Sequence, residues 1–119
     1  GKIDVVTTNS SEGTLSVLLG NGDGSLRTAN QFAAGLNPVG LVLGDFTGDN
    51  KLDLAVANGP NNQFTLLVGS GNGQFNSSTT YDTGVLTANL MKADFNNDGQ
   101  LDIGTFDPIS NIFKVWLGH

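Results

Sequence analysis

Oxygen-bearing side chains recur in one fixed order at two places in this chain. The first set is Asp45, Thr47, Asp49 and Asp53; the second, 49 residues on, is Asp94, Asn96, Asp98 and Asp102. Each set occupies positions 1, 3, 5 and 9 of a nine-residue loop. At position 7 stand Lys51 and Gln100, which can offer a backbone carbonyl. A hard divalent cation such as calcium gathers six to eight oxygens at about 2.3–2.6 Å in this manner. Without a cation, carboxylates gathered in one loop repel one another. Position 6 is Asn50 or Gly99, residue types that tolerate the left-handed turn such a loop needs. The expectation is two calcium sites, with Asp45, Thr47, Asp49, Lys51 and Asp53 at one and Asp94, Asn96, Asp98, Gln100 and Asp102 at the other.

Other chemistry finds less support. The single histidine, His119, falls at a turn position of the repeat, level with Asn21 and Ser70. No cysteine and no G-x-S-x-G elbow accompanies the serines. The chain therefore reads as non-enzymatic. Gly20-Asn21-Gly22-Asp23-Gly24 resembles a phosphate cradle, but it opens no helix and recurs as Gly69 to Gly73. It reads as a repeated hairpin turn. Three aromatic residues, Phe32, Tyr81 and Trp116, are candidates for contact with a ligand such as a sugar, although Trp116 stands level with Leu18 and Leu67 and also suits a packing role. Phe46 and Phe95, inside the acidic loops, read as core anchors. Asn9-Ser10-Ser11 and Asn76-Ser77-Ser78 match the glycosylation sequon.

The elements that must position these residues follow from the repeat. At a shift of 49 residues the chain aligns on itself without a gap: Phe46 on Phe95, Phe64 on Phe113, Phe32 on Tyr81, and Gly20 on Gly69 and Gly118. A period of this size marks solenoids, propellers or arrays. Inside one period, Val39–Gly44, Leu52–Ala57 and Gln63–Val68 are short apolar runs, and Gln74–Tyr81 is a more polar run rich in Ser and Thr. Gly and Asn clusters separate them. No stretch sustains a helical period. The fold expected is all-β, with four-stranded antiparallel β-propeller blades in about two and a half repeats of 49 residues. Residues 1–119 form one segment: 1–49 an incomplete first repeat and its connection, 50–98 the second repeat, 99–119 a partial third. Numbered from the strand before the acidic loop, the strands run 2-3-4, 1-2-3-4, 1-2-3, from Ile3–Thr8 to Ile112–Leu117.

The stretch from Gly44 to Asn58 (GDFTGDNKLDLAVAN) resembles an FG-GAP/VCBS repeat, as does Ser16 to Leu26 (SVLLGNGDGSL). The resemblance covers essentially the whole chain. It implies four-stranded blades, calcium in the loop between the first and second strands, and use in extracellular binding. Integrin α-chain heads and some lectins share that architecture, and lectins of this kind bind sugar between blades. The chain departs from the pattern in its first repeat, where only Lys2 and Asp4 of the acidic loop are present.

Composition narrows the partners. Apolar residues make up 38% of the 119 and charged residues 13%, so charge-driven disorder is not expected. The formal charge is −6, yet seven of the eleven acidic residues occupy loop ligand positions, counting Asp4. Two bound divalent cations would leave about −2. The five Lys and Arg residues are scattered, which argues against nucleic acid. No run is long enough to span a membrane as a helix. Calcium loops and the lack of cysteine together suit an extracellular or cell-surface module, held by calcium rather than by disulfides. The expected role is adhesion or ligand binding, with a glycan or protein as partner and neighbouring blades of a longer chain beside it. The alternative is a structural subunit that self-associates head to tail through its incomplete blades.

Overall fold

Alternation of apolar and polar residues writes most of the strands. In the computed structural model, which describes residues 2–118, ten strands form: β1 (Val5–Asn9), β2 (Thr14–Leu18), β3 (Asn30–Ala33), β4 (Gly40–Gly44), β5 (Asp53–Asn58), β6 (Gln63–Gly69), β7 (Phe75–Asp82), β8 (Leu90–Ala93), β9 (Asp102–Asp107) and β10 (Ile112–Trp116). The one helical piece among these residues is a 3-10 turn at Gly59–Asn61. His119 lies outside the described residues. The all-β reading holds. Boundaries differ by one or two residues from the sequence runs: β1 opens at Val5 rather than Ile3, and β10 closes at Trp116 rather than Leu117.

The strands pair as three antiparallel sheets, β1-β2-β3, β4-β5-β6-β7 and β8-β9-β10. The division into three, four and three strands follows the series expected from the repeat. Only the middle sheet has four strands among the described residues.

Strand alternation sends successive side chains to opposite faces, and the middle sheet uses both. From β5 and β6, Leu54, Val56 and Leu67 pack toward the first sheet with Leu15, Val17 and Ala34. Ala55 and Phe64 pack the other way with Phe46 and Ile103, and Leu101 and Trp116 close that cluster. Every residue of β5 is buried, as a central strand covered on both faces must be. Polar bonds tie the sheets together at the edge of these cores. Asn58 Nδ2 donates to the carbonyls of Ala34 (2.8 Å) and Leu36 (3.0 Å), while its Oδ1 accepts from Thr65 Oγ1. Lys114 Nζ donates to the Thr83 carbonyl, and Lys92 Nζ to that of Leu43.

One expectation about the core needs correcting. Phe46 is 4% exposed and serves as an anchor, but Phe95 is 40% exposed. Phe46 has the third sheet in front of it, whereas the Phe95 ring meets Phe113 edge-on at 5.6 Å and is otherwise open enough to stay half-exposed.

Candidate metal loops and the adjoining cleft

Each acidic loop joins the first two strands of its sheet, β4 to β5 and β8 to β9. The chain reverses there by taking left-handed backbone twice. In the first loop Gly48 (φ 76°) and Asn50 (φ 64°) adopt it; in the second, Asn97 (φ 59°) and Gly99 (φ 88°) do. Position 6 was legible from residue type. Position 4 behaves the same way and was missed, although Gly48 and Asn97 carried the same signal.

Position 1 organises the turn. Asp45 Oδ1 accepts the N–H groups of Gly48 (2.7 Å) and Asp49 (3.1 Å), and Oδ2 accepts that of Asn50 (2.8 Å). Asp94 does likewise for Asp98 and Gly99. Position 5 accepts the N–H of position 7: Lys51 to Asp49 at 3.0 Å and Gln100 to Asp98 at 2.9 Å. Partial burial pushes the Asp45 carboxyl up, but the N–H groups of Asn50, Gly48, Asp49 and Thr47 outweigh it and hold it below the usual 3.8. The Asn96 side-chain amide, then the Gln100 N–H, hold Asp98 below that value too. Both groups are anionic at neutral pH.

Position 9 is different in kind. Asp53 is fully buried: Oδ2 accepts from Phe46 N (2.9 Å), Thr47 N (3.2 Å) and Thr47 Oγ1 (3.1 Å), and Oδ1 from Gly69 N (2.9 Å). Asp102 repeats this with Phe95 N (2.7 Å) and Gly118 N (2.8 Å), and Asp4 accepts from Gly20 N (2.8 Å). Each aspartate thus ties the start of its own strand to the glycine at or just past the end of the next strand, and in the two complete loops also to the loop. A glycine is required at the far end. A Cβ on Gly69 would stand 2.0 Å from the Leu52 carbonyl oxygen. The recurrence of Gly20, Gly69 and Gly118 was visible in the sequence, but its reason, close approach of backbone beside an aspartate carboxylate, was not.

The loops differ at position 7. Lys51 Nζ lies 3.4 Å from Asp49 Oδ2, a partly exposed ion pair. Gln100 brings no charge, and its buried Oε1 has no hydrogen-bond partner. Among the described residues no group of three or more His, Cys, Asp or Glu side chains is drawn together as a metal cage. The two loops carry carboxylates, a hydroxyl or amide oxygen and a backbone carbonyl in the same order on two sheets.

Two of the three candidate aromatic residues meet at one place. A cleft of about 450 Å³ between the middle and third sheets is lined by Phe46, Thr47, Phe64, Tyr81, Ile103 and Trp116 among others. The Phe64 ring stacks on Tyr81 (4.9 Å, 18°) and meets Trp116 edge-on (5.0 Å, 72°). Phe32 is elsewhere, edge-on to Phe75 at 5.2 Å beside a smaller recess. Thr47 belongs to both the acidic loop and the cleft wall.

Three antiparallel sheets repeating one strand-and-loop unit define an all-β repeat protein. The chain belongs to the FG-GAP-like repeat family, whose pattern matches residues 1–56 and 45–105. No curated protein and no solved structure matches it.

Proposed function

We propose that the chain is a non-catalytic, calcium-binding, extracellular β-propeller-type module for adhesion or ligand binding. Its sheets act as blades of that architecture. Asp45, Thr47, Asp49, Asp53 and the Lys51 carbonyl would hold one ion; Asp94, Asn96, Asp98, Asp102 and the Gln100 carbonyl would hold the second. When bound, each ion neutralises the loop carboxylates and fixes the loop between the first two strands of its sheet.

The observation that carries the ligand-binding part is the shared wall. Phe46 and Thr47 leave the acidic loop directly into the aromatic cleft. An ion that orders the loop orders one side of the cleft. Aromatic faces at Tyr81 and Trp116 suit the apolar face of a sugar ring, and Thr47 and Thr79 bring hydroxyls to its polar edge.

A screen of immobilised glycans and extracellular proteins, run in calcium and in chelator, tests this reading. It predicts binding that needs calcium and weakens in Trp116→Leu, which restores the residue type of Leu67. Binding to nothing in calcium, by demonstrably folded protein, would remove the ligand-binding role. A second reading is a subunit that self-associates head to tail through strand edges. It is favoured by β1 and β10, which are edge strands at opposite ends of the chain. Unpaired edges are templates for pairing.

A further inference from the structure

An asparagine followed by glycine can lose its side-chain amide without an enzyme, because no Cβ on the glycine obstructs its N–H on the way to the side-chain carbonyl carbon. The chain holds three such pairs, Asn21-Gly22, Asn58-Gly59 and Asn72-Gly73. The structure sets them apart. Asn58 is fully buried, its Nδ2 donates to two carbonyls and its Oδ1 accepts from Thr65 Oγ1. That amide cannot leave without breaking both donations, away from the water that would carry it off.

Asn21 and Asn72 are exposed, in the hairpins that follow β2 and β6. They differ in what holds the amide. Asn21 Nδ2 donates to Ser25 Oγ (2.9 Å), and its Oδ1 accepts one bond, from Arg27 Nε (3.3 Å). Asn72 Oδ1 accepts two, from Ser70 Oγ (2.5 Å) and Gln74 N (3.1 Å), and its Nδ2 donates none among the described residues. The other acceptor of the Ser70 hydroxyl, the Gln74 carbonyl, is farther off at 3.1 Å. Two donors on the carbonyl oxygen and an untethered leaving group are what attack at Asn72 Cγ requires.

We propose that Asn72 is a site of spontaneous deamidation, promoted by the turn that holds it. Gly73 N attacks Asn72 Cγ, and the new N–Cγ bond forms as charge gathers on Oδ1, between the Ser70 hydroxyl and the Gln74 N–H. The Cγ–Nδ2 bond then breaks. The proton from Gly73 N passes through water to the departing amide, which leaves as ammonia. The cyclic imide takes up one water. Opening at Cγ gives aspartate; opening at the main-chain carbonyl gives isoaspartate, whose backbone runs through Cβ and Cγ. Either product adds one negative charge. The first repeat already displays the aspartate: Asp23 stands level with Asn72 and accepts from Ser25 N and Ser25 Oγ in the same turn. Isoaspartate does not fit in that way. Gly73 lies against Leu19 of the first repeat, where even a Cβ would come within 2.8 Å of the Leu19 side chain, so a lengthened backbone loosens the hairpin from its seat.

Timed incubation of the 119-residue chain, folded and in denaturant, with peptide mapping by mass spectrometry tests it. Heavy-oxygen water marks each converted residue. In the folded chain Asn72 should convert first, Asn21 more slowly and Asn58 not at all; in denaturant the three rates should converge. Ser70→Ala should slow Asn72 about two- to tenfold in the folded chain, the worth of one neutral hydrogen bond, and leave its rate in denaturant unchanged. Folded-chain conversion of Asn72 no faster than that of Asn21 or Asn58 would overturn the proposal. So would an unchanged rate in folded Ser70→Ala. The ranking of the three sites needs no variant, so it decides even if Ser70→Ala does not fold.

Discussion

Phe64 and Phe113 hold the same place in the repeat, yet one is 1% exposed and the other 46%. Phe46 and Phe95 differ in the same way. Residue type, strand position and register are shared; only the neighbour differs. The middle sheet is sandwiched, and its outer face becomes core when the third sheet arrives. The third sheet builds the same face with nothing over it among the described residues. In a repeat protein, burial belongs to the interface between units rather than to the unit.

The comparison can be broken first at the phenylalanines. Phe64→Ala should cost about 3–5 kcal/mol, because it empties a packed interface. Phe113→Ala should cost about 1 kcal/mol, since much of that ring is already in water. Denaturant melts of the two variants check this, and equal losses would mean that the third sheet is covered in solution.

Calcium should come next. An ion that binds only the folded state at a hundredfold excess over its Kd adds about 2.7 kcal/mol per site. Chelator should lower the melting temperature markedly, and an unchanged melt would count against the loops as sites. Asp49→Ala should remove more of that calcium stabilisation than Asp23→Ala. Asp23 accepts from Ser25 in a hairpin turn and belongs to neither loop.

Asn58 and Asp107 sharpen the contrast at smaller scale. Asn58 reaches two carbonyls of the segment after β3, whereas Asp107 accepts from Ser110 Oγ (2.6 Å) and Ile109 N (2.9 Å). Asn58→Asp loses both donations and faces a carboxylate with carbonyl oxygens, at about 1–3 kcal/mol. Asp107→Asn should be milder. Urea midpoints of the pair decide.

The smallest effect is on acid stability. The Ser110 hydroxyl, then the Ile109 N–H, hold Asp107 below 3.8, and Asp45 and Asp98 are lowered as well. Each favours the folded state once pH is above the ordinary carboxylate value, and that contribution is lost as pH falls through the lowered folded value. Stability should therefore drop below about pH 4. Replacing Asp107 by Asn should flatten part of that drop in melts taken along a pH series.

Much of this was readable before any coordinates. The 49-residue period, the ten strands and the left-handed turn at Asn50 and Gly99 follow from residue type and spacing, because turn chemistry and alternation are local. Two things were not local. The buried bond from Asp53 to Gly69 spans sixteen residues and reaches another strand, so the acidic pattern alone does not report it. The exposure of Phe95 depends on what lies across from it, and no property of the loop that carries it reports that. The meeting of Tyr81 and Trp116 around Phe64 is a product of sheet packing, which no local pattern reports.

Calcium titration by calorimetry on the chain and its loop variants tests the central claim most directly. The account predicts two sites. Asp45→Asn should abolish one and Asp94→Asn the other. The second loop should bind more tightly, because Lys51 already pairs with Asp49 in the first while Gln100 brings no competing charge. No calcium-dependent heat in the folded chain, or two sites that survive both substitutions, would contradict it.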